Sequence, residues 1–218
     1  MTHRYRYLTF KLLIVFTLFL SICAHAQYFG QNKPLYKKFS YKVYQTPNFE
    51  IYNYFKNDSI INRISQTVEK WYWMHYQVFR DSIKQRNPLI IYPNQGDFQQ
   101  TTAISGSIGI GTGGVTEALK NRVVLPVTET WAQTEHVLGH ELVHAFQYNS
   151  IINGDSTSLN SIRNLPLWMV EGMAEYLSIG SIDYQTSMWL RDAVLNDYLP
   201  TLDQMTMDQN KYFPYRYG

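Results

Sequence analysis

The feature that most constrains how this 218-residue chain folds is the sequence His140-Glu141-Leu142-Val143-His144. Residues four apart lie on one face of a helix, so both histidines can direct imidazole nitrogens at one ion while Glu141 lies beside them. This is the geometry of a zinc site with an adjacent general base. An ordinary amphipathic helix with two paired histidines is the alternative, and a third ligand elsewhere in the chain would distinguish the two.

The length fits one globular domain, or one domain plus a leader. Apolar residues make up 45% of the chain and charged residues 17%, which suits a packed core and argues against disorder. The net charge of +2 is too small to indicate nucleic-acid binding, and no cluster of lysine and arginine follows the leader. Charge therefore identifies no binding partner.

Residues 1–26 have the pattern of a secretory signal peptide. A basic start is followed by an apolar run at 12–23 and by the small-residue cleavage site Ala24-His25-Ala26. The apolar run is too short for a permanent transmembrane helix. We therefore expect cleavage near Ala26 and a secreted, periplasmic or cell-envelope protein. A lipoprotein anchored through Cys23, the only cysteine, is the alternative, because residues 20–23 loosely resemble a lipobox.

The hydrophobic periodicity predicts an α+β fold, with a small mixed sheet packed against the histidine helix and a mostly helical half from about residue 165. We expect strands at residues 39–44, 49–54, 89–92 and 121–127. After capping residues at 57–59, a helix is expected from 60 to about 83. Further helices are expected from 131 or 134 to 148, after 166, and at 184–198, with loops and turns at 199–217. Residues 98–102 are expected to form a loop or a short helical turn. The glycine-rich residues 105–114 predict a flexible hairpin or an edge strand and not a phosphate-binding loop.

Two further histidines lie on the predicted helices. His75 is on an apolar face and is expected to be a core histidine. His136 lies four residues before His140, but residues eight apart are separated by about 12 Å along a helix axis, so His136 cannot share one ion with both His140 and His144. We expect His136 to have a structural role.

The candidates for a third ligand lie beyond a polar loop at residues 149–164. The metzincin pattern is excluded, because Gln147 and Ser150 occupy the places of its glycine and its third histidine. Glu171 and Glu175 fall one turn apart on the helix that begins after Pro166. One carboxylate can bind the ion while the other accepts the N–H of a ligand histidine. Two solvated glutamates on a surface helix are the alternative.

The sequences H-E-L-V-H at 140–144 and L-W-M-V-E-G-M-A-E-Y at 167–176 together resemble the gluzincin (peptidase MA-like) zinc metallopeptidases. The resemblance implies a zincin-like fold, Zn²⁺ as cofactor, Glu171 as third ligand and Glu175 as the carboxylate that orients a ligand histidine. The interval of 27 residues between His144 and Glu171 is longer than in the aminopeptidase members. The sequence Y-R-Y-G at 215–218 resembles the Y-x-x-G that begins the helix with the family's oxyanion-binding tyrosine. This implies Tyr215 as the donor, with Tyr217 as the alternative.

A second resemblance covers the start of the mature chain. Residues 28–52 resemble the beginning of secreted bacterial proteins that place a gluzincin domain ahead of a TolB-like β-propeller. The resemblance implies that residues 27–218 are a metallopeptidase domain truncated at its C-terminal helix, with a propeller downstream in a longer chain. The G-x-M-E-N substrate motif of the aminopeptidases is absent, and residues 113–117 resemble it only weakly.

The function implied is zinc-dependent hydrolysis of peptide bonds with Glu141 as general base, the substrate being a peptide or protein that lies extended along residues 111–116. The rival hypothesis is a weak or inactive zincin-fold module of the cell envelope that docks a propeller or another protein. A carbohydrate-associated protein is a third hypothesis, which only the aromatic content of 16% suggests. The sequence determines neither the substrate, the choice between endopeptidase and exopeptidase activity, nor the oligomeric state.

Overall fold

The strands form one five-stranded mixed sheet. The computed structural model describes Lys11 and residues 35–152 and 164–218. The strands are β1 (Lys42–Gln45), β2 (Phe49–Asn53), β3 (Asn87–Tyr92), β4 (Val115–Glu117) and β5 (Arg122–Pro126). Their order is β1-β2-β3-β5-β4, with parallel pairing of β2, β3 and β5 and an antiparallel strand at each edge. β4 is therefore an edge strand, as the sequence interpretation of this region allowed.

The helices are α1 (Asp58–Phe79), α2 (Gln95–Gln99), α3 (Trp131–Ile152), α4 (Leu167–Ile179), α5 (Tyr184–Leu195), α6 (Leu202–Met207) and α7 (Pro214–Tyr217). The mixed sheet with helices and the helical C-terminal half confirm the α+β prediction. The predicted signal peptide with Cys23 lies outside the described residues except for Lys11. No helix among the described residues is long and apolar enough to cross a membrane.

The main core lies between one face of the sheet and helices α1 and α3. Alternate residues of β2, β3 and β5 are fully buried there, as the period of a strand requires. Gly139 allows the two helices to approach closely, because a Cβ at this position would lie 2.7 Å from Cε2 of Trp71. Nε2 of His75 donates a hydrogen bond of 2.9 Å to the Gly139 carbonyl, and the His75 side chain is buried. The prediction of a core histidine is confirmed.

Several predicted element ends differ from the structure. β1 begins at Lys42 and not at 39, because pairing with β2 begins where Lys42 faces Asn53, the last residue of β2. α1 ends at Phe79, where Arg80 adopts a left-handed conformation with a φ of 52°. Asn121 also has a positive φ, 40°, and belongs to the turn between β4 and β5.

The glycine-rich residues 105–114 are loop and turn, so they do not themselves form the edge strand, which begins at Val115. The Gln95 side chain donates hydrogen bonds to the carbonyl groups of Gly109, Ile110 and Thr112. This loop is therefore attached to the sheet through α2.

The prediction of loop and turns for residues 199–217 is wrong, because α6 and α7 are helices. Thr201 and Gln204 form a capping box at the start of α6, and Pro214 begins α7. α5 is also shorter than predicted and ends at Leu195. Gly172 of α4 lies so close to the backbone of Gly218 that a Cβ would overlap it. This close packing brings α7 against the helix that contains Glu171.

Candidate metal centre

Two helices bring His140, His144 and Glu171 together. α3 contributes the histidines and α4 the glutamate, and all three side chains are buried. Oε2 of Glu171 lies 3.3 Å from Nε2 of His140 and 3.2 Å from Nε2 of His144. The two Nε2 atoms are 3.2 Å apart. The three atoms thus form a nearly equilateral triangle that could hold a metal ion.

The size of this triangle fits a tetrahedral zinc site. Zinc bonds to histidine nitrogen and carboxylate oxygen are about 2.0–2.2 Å long, which gives about 3.3–3.6 Å between two ligand atoms of a tetrahedron. The observed separations of 3.2–3.3 Å lie at or just below the lower end of that range. Oε2 of Glu171 is also buried without an aligned hydrogen bond among the described residues. A cation between the three atoms would satisfy this oxygen.

Glu175 lies on the opposite side of the His140 ring. Its Oε1 is 3.0 Å from Nδ1 of His140 and 3.5 Å from Nε2 of His136. The contact with His140 is not a hydrogen bond, because Oε1 is not aligned with the ring N–H. Its Oε2 accepts a hydrogen bond of 3.0 Å from Nη1 of Arg216. His136, His140 and Glu175 form a second group with metal-binding spacing. The Arg216 guanidinium already balances the carboxylate there, so a cation fits the Glu171 group better.

The second ligand histidine has a different neighbour. Nδ1 of His144 donates a hydrogen bond of 2.9 Å to Oε1 of Gln147. The Gln147 amide in turn donates to the carbonyl group of Val170 on α4. With the proton on Nδ1, Nε2 of His144 is free to bind an ion. The sequence interpretation used Gln147 only to exclude metzincins, although its position three residues after His144 indicates this contact.

The charges in the site are strongly coupled. Burial alone would lower the pKa of His140, but the Glu171 and Glu175 carboxylates outweigh it and raise the pKa to about 9. The pKa of Glu171 is about 2, because His140 and His144 overcome the opposing effect of burial. The pKa of Glu175 is also about 2, owing to His136 and His140. Both carboxylates are therefore charged at neutral pH.

The Glu141 carboxylate lies between α3 and the edge strand β4. Its Oε2 accepts a hydrogen bond of 2.6 Å from Oγ1 of Thr116. The side chain is buried yet lines a cleft of about 600 Å³ that also exposes the three candidate ligands. Residues 111–116 line this cleft as well. The structure thus brings the predicted base and the predicted substrate strand to one place.

Two tyrosines stack on the candidate ligand histidines. The Tyr215 ring lies 5.7 Å from the ring of His140 at 18°, and the Tyr148 ring lies 6.2 Å from that of His144 at 23°. Burial and then the nearby carboxylates raise the pKa of the Tyr215 hydroxyl, so it keeps its proton. Tyr217 instead packs on other aromatic rings outside the cleft. Sequence reasoning missed Tyr148, although it lies one turn after His144.

Comparison with known proteins gave one match. Residues 99–204 match the model of a family described as BSP, peptidase of plants and bacteria. The matched region contains β4, α3 and α4, and therefore the histidine pair, Glu141, Glu171 and Glu175; it ends before Tyr215. Searches of curated proteins and of solved structures found no significant match.

Proposed function

We propose that this chain is a secreted zinc-dependent metallopeptidase of the gluzincin type. The observation that carries the proposal is the triangle of Nε2 of His140, Nε2 of His144 and Oε2 of Glu171, whose sides of 3.2–3.3 Å suit tetrahedral zinc. The peptidase-family match over the same helices supports a peptide or protein as substrate.

The proposed ligands are His140, His144 and Glu171. When bound, zinc supplies Lewis-acid chemistry that makes water nucleophilic near neutral pH and polarises a carbonyl group. Glu175 stands beside Nδ1 of His140 and favours the tautomer that carries the proton there, which leaves Nε2 free to bind.

The remaining residues act on the substrate and on water. Glu141 takes a proton from the attacking water and passes it to the leaving amine, as a general base and then a general acid. The Tyr215 hydroxyl, which is neutral in this site, donates a hydrogen bond to the developing oxyanion. The substrate lies extended along β4, the edge strand that lines the cleft.

Metal analysis and cleavage of a peptide library test this function. We expect one zinc per chain, cleavage that a chelator stops, and recovery when zinc is added back. Glu141→Gln should retain zinc and lose cleavage, whereas Glu129→Gln, at an exposed position before α3, should change neither. An active Glu141→Gln protein would disprove the assignment of the base.

A scaffold module of the cell envelope is the second candidate. It is favoured by the exposed apolar side chains of the C-terminal half, among them Tyr184 and Leu195 of α5, which are 90% and 75% exposed. In the same assay, zinc without chelator-sensitive cleavage would favour this function over hydrolysis.

The leader and the downstream partner are part of the proposal. We place cleavage of a signal peptide near Ala26, with a lipidated Cys23 as the alternative, and a β-propeller after the peptidase domain. Mass spectrometry of the mature N-terminus distinguishes the two leaders, and the reading frame after Gly218 tests for the propeller.

A further inference from the structure

The hydroxyl group of Thr116, on the edge strand β4, contacts Glu141 of helix α3. Oγ1 of Thr116 lies 2.6 Å from Oε2 of Glu141 and 2.9 Å from the Glu141 backbone carbonyl oxygen. Thr116 is 25 residues from Glu141 in sequence, so only the tertiary fold brings the two together. The contact connects the strand that lines the cleft to the proposed general base.

A threonine hydroxyl carries a single proton, so it cannot fully donate to both oxygens at once. Hydrogen bonds to a charged carboxylate are shorter and about twice as strong as those to a neutral carbonyl. The shorter of the two distances, 2.6 Å, is the one to the carboxylate. The hydroxyl proton therefore belongs mainly to Oε2 of Glu141, and the backbone contact is secondary.

Gly114 lies close to the other oxygen of the same carboxylate, Oε1. A Cβ at Gly114 would lie 2.7 Å from Cγ and 2.8 Å from Oε1 of Glu141, closer than side-chain carbons approach other atoms. The absence of a side chain at Gly114 thus leaves space for Oε1, while Thr116 holds Oε2. Gly114, Thr116 and Glu141 all line the cleft, so the carboxylate is held at the place where water and substrate would react.

We propose that Thr116 is a positioning residue that fixes the carboxylate of Glu141 for proton transfer. The inference rests on the proposed function, because the orientation of the Glu141 carboxylate affects the rate only if Glu141 is the general base. It also means that β4 both binds the substrate backbone and orients the general base. A general base must lie within hydrogen-bond reach of the proton it removes, so a freely rotating carboxylate at this position would be less effective.

Thr116→Val tests the proposal, because valine keeps the branched shape but has no hydroxyl, and Thr116→Ser is the matched variant that keeps the hydroxyl. Loss of a group that orients a site residue costs about 10- to 100-fold in activity. We expect Thr116→Val to lower kcat for a cleaved library peptide by about that factor with little change in KM, and Thr116→Ser to restore most of it. Zinc content should stay at the unmodified level in both.

A measurement without turnover accompanies the kinetics. Crystal structures of the two metal-free variants should show the Glu141 carboxylate displaced in Thr116→Val and in place in Thr116→Ser. A purely structural tie between β4 and α3 would instead lower the midpoint of thermal unfolding in Thr116→Val and leave kcat of the folded protein unchanged. That result, or an undisplaced carboxylate, would overturn the inference.

The proposed function fails separately. If the unmodified protein binds no zinc, or shows no chelator-sensitive cleavage, the function is wrong, whatever the Thr116 variants do. If the unmodified protein is active and Thr116→Val equals it in kcat, only the role of Thr116 is refuted.

Discussion

The roles of Glu171 and Glu175 can be separated by metal affinity. Both are carboxylates of α4 beside His140, with side chains 11% and 14% exposed and pKa values lowered to about 2, so neither exposure nor pKa distinguishes them. Their geometry does distinguish them. Oε2 of Glu171 is near Nε2 of both His140 and His144. Glu175 instead lies beside Nδ1 of His140 and Nε2 of His136, and it is paired with Arg216. We expect Glu171→Ala to lose the metal and Glu175→Gln to weaken its binding.

The expected magnitudes follow from the number of direct contacts. Structural zinc sites with four ligands bind with about 10–16 kcal/mol, or about 2.5–4 kcal/mol per ligand, so removing Glu171 should weaken binding roughly 10²- to 10³-fold. Removing a group that only orients a ligand costs about 10- to 100-fold, or about 1.4–2.7 kcal/mol. Glu175→Gln should lie near the upper end of its range, because it leaves the Arg216 guanidinium unbalanced beside the site.

The assay is competition for zinc against a chromophoric chelator at pH 7.5, with the unmodified protein as reference. Glu135→Gln is the matched control: Glu135 is a carboxylate of α3 that pairs with Lys70 at 3.0 Å outside the site. Its affinity should equal that of the unmodified protein. If Glu175→Gln loses the metal while Glu171→Ala retains it, the two roles are reversed and the ion binds in the group with His136.

Two further predictions concern the cleft and the core. Tyr215→Phe should lower kcat about 10²- to 10³-fold, because one oxyanion donor is lost, whereas Tyr217→Phe should leave it unchanged; equal losses in steady-state assays of both would contradict the assignment. Gly139→Ala should lower the midpoint of thermal unfolding by several degrees. Overpacking against the buried Trp71 costs about 1–3 kcal/mol, which exceeds the gain in helix propensity of up to about 1 kcal/mol. Gly111→Ala, where a Cβ meets nothing within 4 Å, should unfold like the unmodified protein, and an unchanged midpoint in Gly139→Ala would refute the packing argument.

Local spacing predicted the parts of the site that lie within single helices. The interval of four residues in a helix places His140 and His144 on one face, and the same interval relates Glu171 to Glu175. Tyr148 lies four residues after His144 and Gln147 three, and both intervals place a residue on the same helix face, so both could have been found in this way. What spacing could not decide was which of the two glutamates faces Nε2, because that depends on how α4 crosses α3.

The long-range contacts could not be predicted from local patterns. Thr116 meets Glu141 only because β4 pairs with β5 at the sheet edge and so lies beside α3. Arg216 meets Glu175 across 41 residues because α7 packs on α4 where glycine lies at the contact. α7 has only four residues and α6 only six, too few for hydrophobic periodicity to show. The prediction of loops at 199–217 failed for that reason.

The formal charges explain why the residue beside Nδ1 of His140 is a carboxylate, Glu175, whereas the residue beside Nδ1 of His144 is an amide, Gln147. A divalent cation with the carboxylates of Glu171 and Glu141 sums to zero, so a further unbalanced carboxylate would leave net charge in a buried site, which is costly. Glu175 can be a carboxylate because Arg216 neutralises it. Gln147 has no such partner, because its observed contacts besides His144 are a carbonyl group and a methionine sulfur, and it is a neutral amide. The short helix α7 therefore belongs to the electrostatic balance of the candidate metal centre as well as to its cleft.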